Sequence, residues 1–263
     1  MRKQIITMMK TVRLLAVVAI TMLPASMAMA QQEVEASVQA DVVSHYMWRG
    51  QDRGGISIQP FGEVRWQGLS LGIWGNAGVE SVDPHEINLS LGYSIAGFNI
   101  GVTDYWTTGV DPEDRYFYFE KEKTPHQFEG NIGFTCPYFS LQGYTMFWGN
   151  DFKKNGDRAY STYIELGVPF KLGGIDWMLT GGITPFESAG SYVQRTIQTP
   201  LGSTTVDSAV YDYAEGFAMN SASLRATKNL FLGDVRVPIF AELHTNPYLQ
   251  TARLLFGFSV IPF

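Results

Sequence analysis

Ile87-Asn88-Leu89-Ser90-Leu91-Gly92-Tyr93-Ser94-Ile95-Ala96-Gly97-Phe98 is the stretch whose reading decides the fold. Ile87, Leu89, Leu91, Tyr93 and Ile95 alternate with Asn88, Ser90, Gly92 and Ser94, a period of two that makes a strand with one oily and one wet face. Ala96-Gly97 leaves room only for a tight turn, so the strand predicted over 98–106 runs back beside the first. The same alternation sets Val34, Ala36, Val38, Ala40 and Val42 against Glu35, Ser37, Gln39 and Asp41. It sets Phe128, Ile132 and Phe134 against Gln127, Glu129 and Asn131, and Ile164, Leu166 and Val168 against Tyr163 and Glu165. After residue 30 no stretch carries a helical period, so the chain is predicted to be all-β.

Working outward, about twelve strands are expected, near 34–48, 56–66, 69–76, 86–95, 98–106, 126–136, 139–148, 159–170, 175–184, 216–227, 235–245 and 252–263. Many have the ~9–11 residues that a tilted strand needs to cross a bilayer. Gln67-Gly68, Ala96-Gly97, Pro137-Tyr138 and 171–174 are tight links after even-numbered strands, with a longer one at 228–234. After odd-numbered strands come 49–55, 77–85, 107–125, 149–158, 185–215 and 246–251. Short and long links alternate, as they do in a transmembrane antiparallel up-and-down β-barrel with periplasmic turns at one rim and extracellular loops at the other. Closure removes the edge strands and satisfies the backbone where no water is available.

Composition agrees. The 263 residues are 45% apolar, 17% charged and 14% aromatic, with 27 Gly and one Cys. A disordered tail would hold fewer aromatics, a disulfide-stapled module needs more thiols, and a helical membrane protein needs apolar runs of ~18 or more. The amino terminus reads as a cleavable secretory signal over 1–30: basic Arg2, Lys3, Lys10 and Arg13, apolar Leu14 to Leu23, then Pro24 and a small-residue site at Ala28-Met29-Ala30. No Cys stands at the cut for lipid attachment. Loss of four basic residues and no acids takes the formal charge from −6 to −10, which disfavours nucleic acid as a partner. Residues 31–263 are then the barrel, and the cell outer membrane is the expected address.

Aromatics form two predicted girdles, as at membrane interfaces. Trp66, Phe98, Phe139 and Phe170 fall beside short turns, and Tyr46, Trp48, Trp106, Phe147, Trp148 and Tyr160 beside long loops. The chain ends in a strand with a terminal Phe263, similar to the carboxy-terminal signal read by the barrel assembly machinery.

If the apolar parity faces lipid, the inward set includes Glu35, Gln39, Asp41, His45, Glu63, Arg65, Glu129, Glu165, Asp176, Arg225, Arg236, Glu242, His244 and Arg253. A midplane Arg or Lys on the lipid side would cost ~2–4 kcal/mol. These residues either line a water-filled pore or pair into salt-bridge networks that fill the barrel, because twelve strands lie between filled eight-stranded barrels and open sixteen-stranded porins. Arg225, Arg236 and Arg253 on the last three strands are expected to oppose Glu35, Asp41 and Glu63 on the first two as a constriction. The loop at 185–215 is long enough to fold into the mouth. The loop at 107–125 is acidic and aromatic, with a solvated face as its simplest reading. No catalytic residue is assigned: His45 and His244 point inward, and no Ser carries a nucleophile motif. No metal site or cofactor is assigned either.

Ser44-His45-Tyr46-Met47-Trp48-Arg49-Gly50 resembles the Ser-x-Tyr-x-aromatic-Arg-Gly element that opens barrels of the TorF family of porin-like proteins. Leu71-Gly72-Ile73-Trp74-Gly75-Asn76 is similar to the glycine- and tryptophan-rich third strand of that family. Pro238-Ile239-Phe240 to Asn246-Pro247 and Phe256-Gly257-Phe258-Ser259 resemble the closing hairpin of related uncharacterised outer-membrane β-barrels. The resemblance covers about a quarter of the mature chain and implies an outer-membrane porin-like protein. For Arg49-Gly50 itself, a positive-φ turn and an interface cation at the rim are sufficient. The expected function is diffusion of small hydrophilic solutes across the outer membrane, with outer-membrane lipid as surroundings. The alternative is a closed barrel serving as a structural or adhesive scaffold with binding loops.

Overall fold

The computed structural model describes residues 34–80, 83–109, 113–120, 124–199, 202–233 and 235–261, with the side chains of 191–211 left aside. The expected signal over 1–30 and the terminal Phe263 lie outside the described residues. The strands are β1 (Glu35–Val43), β2 (Tyr46–Trp48), β3 (Gln51–Gly54), β4 (Ser57–Trp66), β5 (Leu69–Gly78), β6 (His85–Ile95), β7 (Phe98–Thr107) and β8 (His126–Thr135). They continue as β9 (Ser140–Gly149), β10 (Thr162–Leu172), β11 (Ile175–Thr184), β12 (Gly190–Thr199), β13 (Gly202–Tyr211), β14 (Ala218–Leu232), β15 (Val235–Asn246) and β16 (Thr251–Val260).

Twelve of these strands form a closed antiparallel barrel, each beside its neighbour in the chain, sealed where β1 pairs with β16. The remaining four are two hairpins at the long-loop end, β2 with β3 and β12 with β13. At the other end Gln67-Gly68 and Ala96-Gly97 turn with positive φ at both residues, the geometry that matches the twist of flanking strands. Parity sorts the faces as the alternation requires. Leu71, Leu91, Ile100, Ile132 and Leu254 are each more than half exposed on the outside, an apolar belt that only a non-aqueous surrounding covers. Buried polar side chains, among them Glu129, Asn220, Asn246 and Ser221, lie inside.

Four boundaries differ from the sequence reading. The first strand stops at Val43 and bends at Ser44-His45, so that Tyr46–Gly54 folds back as a hairpin instead of extending the wall. The link expected at 228–234 is mostly strand, because β14 continues to Leu232, in register with Val235, before a turn at Gly233. The long connection at 185–215 contains the β12–β13 hairpin. The last described strand ends at Val260.

Two of the expected girdle residues also move. Trp66, Phe98, Phe139 and Phe170 are exposed near the short turns, and Phe147 and Tyr160 near the loops. Tyr46 is buried, and Trp48 lies beside Tyr105 and Tyr213. Both belong to the interior, because the bend at Ser44-His45 reverses the chain before them.

Bulges settle the remaining parity. Gly182 pairs with Ser221 and Ile183 with Met219, leaving Asn220 as the extra residue of β14. Strict alternation would put Asn220 outside once Ser221, Ser223 and Arg225 face in. The bulge instead turns it inward, where it is fully buried. On β9 a second bulge leaves Phe147 unpaired between Met146 and Trp148, so Phe147 and Trp148 both pack against the outward Phe128.

Candidate functional site

The β2–β3 hairpin lies across the bore, and its tip carries the residues that hold it. Arg49 and Gly50 have φ of 50° and 86°. A Cβ on Gly50 would stand 1.7 Å from the Asn220 carbonyl oxygen, so only glycine fits this close approach. Asn220 Nδ2 donates to the Arg49 carbonyl at 3.4 Å and Asn246 Nδ2 to the Gly50 carbonyl at 3.1 Å. The bulge therefore supplies one of the two side chains that dock the hairpin on the far wall.

On the opposite wall the Arg49 guanidinium meets Glu129 of β8 in a two-pronged pair, Nη1 to Oε2 at 2.5 Å and Nη2 to Oε1 at 2.8 Å. Tyr105 donates its hydroxyl to Glu129 Oε1 at 2.9 Å, and Arg49 Nη1 donates to the Tyr213 hydroxyl at 2.7 Å. Side-chain exposure is 7% for Arg49 and 2% for Glu129. Aromatic rings surround the cation, with centroids of Trp48 at 4.6 Å, Tyr144 at 4.2 Å, Tyr163 at 5.0 Å and Tyr213 at 5.9 Å. Burial pushes the Tyr213 phenol well above its usual pKa, so it stays neutral beside the guanidinium. Closer to the wall, Tyr46 donates to Glu86 at 3.1 Å and packs against Trp74.

Arg49 was expected at the rim as an interface cation. It lies instead inside the barrel, since the reversed chain points it at the only carboxylate on that stretch of β8 with inward parity.

Toward the short-turn end the bore holds a cavity of about 980 Å³ whose walls include Arg49, Tyr144, Glu165, Asp176 and Thr227. A second of about 400 Å³ lies on the side of Gln59, Trp74, Asn88 and Thr103. Met47, Trp48, Tyr105, Arg225, Glu242 and His244 line both.

The predicted lining residues distribute as follows. Glu129, Glu165, Arg225 and Glu242 reach the central bore, Glu165 accepting from the Tyr163 hydroxyl at 2.9 Å. Arg225 Nε donates to Glu242 Oε2 at 2.6 Å, and His244 lies between Glu242 at 3.0 Å and the Ser221 hydroxyl at 3.2 Å. His45, at the bend, lines the smaller cavity. Asp41 accepts from Gln39 at 2.7 Å. Glu63 and Arg65 pair with each other at 2.6 Å, with Glu35 in register beside Arg65 at the short-turn rim. Arg253 Nε pairs with Asp52 of the hairpin at 3.1 Å, and Arg236 is exposed at the short-turn end.

The expected constriction of opposed Arg and acid rows is therefore not formed. Arg225, Arg253 and Glu63 each find a nearer partner, and the pair that crosses the interior is Arg49 with Glu129. Sequence reasoning missed Arg49, Tyr105, Tyr144, Tyr163 and Tyr213 as a cluster. Tyr163 shares the inward parity of Glu165, Arg49 stands in the Ser44–Gly50 element and Asn220 breaks the alternation of its strand, but nothing local connects the three.

A further group stands outside the wall. Asp104 and His126 share the outward parity, with Nδ1 of His126 2.8 Å from Asp104 Oδ1 and Nε2 2.5 Å from the Tyr116 carbonyl. Phe119 stacks on the His126 ring at 4.3 Å and Tyr116 packs on Trp106 at 5.5 Å. Part of the 107–125 loop thus covers the wall instead of standing free in solvent. Both imidazole nitrogens are engaged in hydrogen bonds. Among the described residues no group of three or more His, Cys, Asp and Glu is placed to hold a metal ion.

No family model and no curated protein matches the chain. Among solved structures it is similar to a Salmonella typhi OmpF–daunomycin complex at 8% identity, over 88% of this chain and 98% of that one, with a TM-score of 0.35. A second, from work on in-meso crystallization of membrane proteins, has 6% identity over 86% and 82% of the two chains, with a TM-score of 0.39. At these scores neither bears on what the chain does.

Proposed function

We propose that the protein is an outer-membrane channel of small bore for hydrophilic solutes, narrowed by its own β2–β3 hairpin. The observation that carries this is the pair of interior cavities, about 980 and 400 Å³, that share Trp48, Arg225, Glu242 and His244 in their walls, inside a barrel whose exterior is apolar. A barrel that only filled itself with salt bridges would have no use for such a space. In this reading the long-loop end faces the exterior and the short turns face the periplasm. Arg49 sets the bore by position: its bidentate bond to Glu129 spans the gap from hairpin to wall.

Planar-bilayer conductance of the refolded protein tests the proposal. Wild type is expected to pass a small ionic current, and Arg49→Ala a current several-fold larger. An Arg49→Ala barrel that shows heat-modifiable gel mobility yet conducts no more than lipid alone would sink it.

A second reading has its own support. The hairpin is tied to β6, β8, β14, β15 and β16 through Glu86, Glu129, Asn220, Asn246 and Arg253, which suits a barrel sealed as a scaffold with binding loops. That reading expects no current from either protein.

A further inference from the structure

The interior group around Arg49 has the composition of a binding site, and its occupant is part of the chain. It offers a carboxylate that accepts both prongs of a planar cation, a phenol oxygen that accepts from the same nitrogen, and four aromatic rings within 6 Å of the central carbon. Nothing in the docking of the hairpin requires this. Its backbone is held independently by Asn220 and Asn246 at the tip. The Arg49 side chain can therefore leave Glu129 by rotation about its own bonds while the hairpin stays docked.

The way in is also built. Arg49, Trp48, Tyr105 and Tyr144 form part of the wall of the 980 Å³ cavity, and Glu165 stands on the same wall. Tyr163 joins the two levels, its ring 5.0 Å from the guanidinium and its hydroxyl donating to Glu165. Glu129, Asp176 and Glu242 each have a basic partner within salt-bridge distance. The hydrogen bond found for the Glu165 carboxylate comes from that neutral phenol. A cation entering the cavity meets Glu165 first and the aromatic rings next.

We infer that this cage is the solute-recognition point of the channel, that it selects guanidinium-bearing cations, and that Arg49 is a tethered stand-in for the solute. The inference rests on the channel reading. It adds to it a substrate class, with exchange as the mechanism: a solute guanidinium takes the Glu129 fork as the Arg49 side chain swings into the cavity toward Glu165. Planarity distinguishes the class. A guanidinium fills both carboxylate oxygens and stacks its face on Tyr144, whereas an ammonium of equal charge does neither.

The test uses methylguanidinium and methylammonium as probes on protein refolded in planar bilayers. In Arg49→Ala channels, where the cage is vacant, methylguanidinium should block the potassium current at concentrations about tenfold below those needed for methylammonium. In wild type the same block should need a much higher concentration, because the probe must first displace the tethered side chain. Glu129→Gln in the Arg49→Ala background should abolish the difference between probes, and Glu165→Gln, away from the fork, should weaken block several-fold. Equal potency of the two cations, or block that survives Glu129→Gln, overturns the inference while leaving the channel intact. If Arg49→Ala carries no current the channel reading fails instead, and calorimetric titration of the folded variant in detergent then scores the cage alone, with equal or absent heats for the two probes counting against it.

Discussion

Strand β8 carries two largely buried polar pairs three residues apart, and they lie on opposite sides of the wall. Glu129 points in and holds Arg49; His126 points out and holds Asp104. The inner pair joins segments 80 residues apart, whereas the outer joins adjacent strands and is covered by the loop between them. The difference teaches what each pair is for. A contact closed locally holds a loop on the wall, and a contact closed across the interior ties the hairpin to a distant strand.

The largest expected effect comes from removing the acid of the inner pair. Glu129→Ala leaves the Arg49 guanidinium buried with no counter-charge, a change that costs about 3–5 kcal/mol when a buried pair loses one partner. Urea titration of the liposome-folded barrel should show it, and Arg49→Met in the same background should recover most of the loss by removing the stranded charge. No recovery would mean that Glu129 acts through Tyr105 rather than through Arg49.

Next in size is Gly50→Ala. The added carbon meets the Asn220 carbonyl, and φ of 86° is costly for any residue with a Cβ. About 1–3 kcal/mol of hairpin docking should be lost. Single-channel records should become noisier and larger in mean current, while the gel mobility of the folded barrel stays unchanged because the wall is untouched. Current identical to wild type would break the link between hairpin and bore.

Much of this wall was legible in the sequence, and the reason is local. Side-chain period and turn chemistry are properties of neighbouring residues, so Ile87 to Ile95 and Ala96-Gly97 announce their strand and turn without help. The interior was legible only by parity. Glu129, Glu165, Arg225 and Glu242, inward by parity, are near one another inside the barrel or along its cavity walls, with no bearing on whether solute passes them. Parity could not say that Tyr46–Gly54 folds back inside, because the bend at Ser44-His45 interrupts the very alternation being counted. Nor could it pair Arg49 with Glu129, since nothing local connects them. Asn220 held the missing information in another form: a buried amide that breaks alternation marks a bulge, and a bulge re-aims a side chain. His126 faces outward, and its burial depends on Phe119 and Tyr116 of a loop whose packing no local pattern announces.

Smaller again is the outer pair. Asp104→Asn keeps the size of the side chain and removes the charge that His126 Nδ1 faces, a loss of ~1.5 kcal/mol for a charge-assisted hydrogen bond. Limited proteolysis should cut the loop between Thr108 and Thr124 faster in this variant, with conductance unaltered. A change in current would show that the two faces of β8 are coupled through the strand, and the comparison would fail.

The smallest effect belongs to Arg253→Ala, and it sharpens the comparison most. Arg253 and Asp52 also join the hairpin to the wall, at 3.1 Å, so a count of contacts would rank this pair with Arg49 and Glu129. Their side chains are 48% and 36% exposed, against 7% and 2% for the inner pair. Water and salt screen such a pair, which leaves ~0.2–1 kcal/mol. Arg253→Ala should therefore shift the urea midpoint little, and raising the salt from low to molar should erase even that shift while leaving the Glu129→Ala defect in place. If both defects vanish together in salt, burial is not what separates the pairs, and the hairpin is held by charge alone.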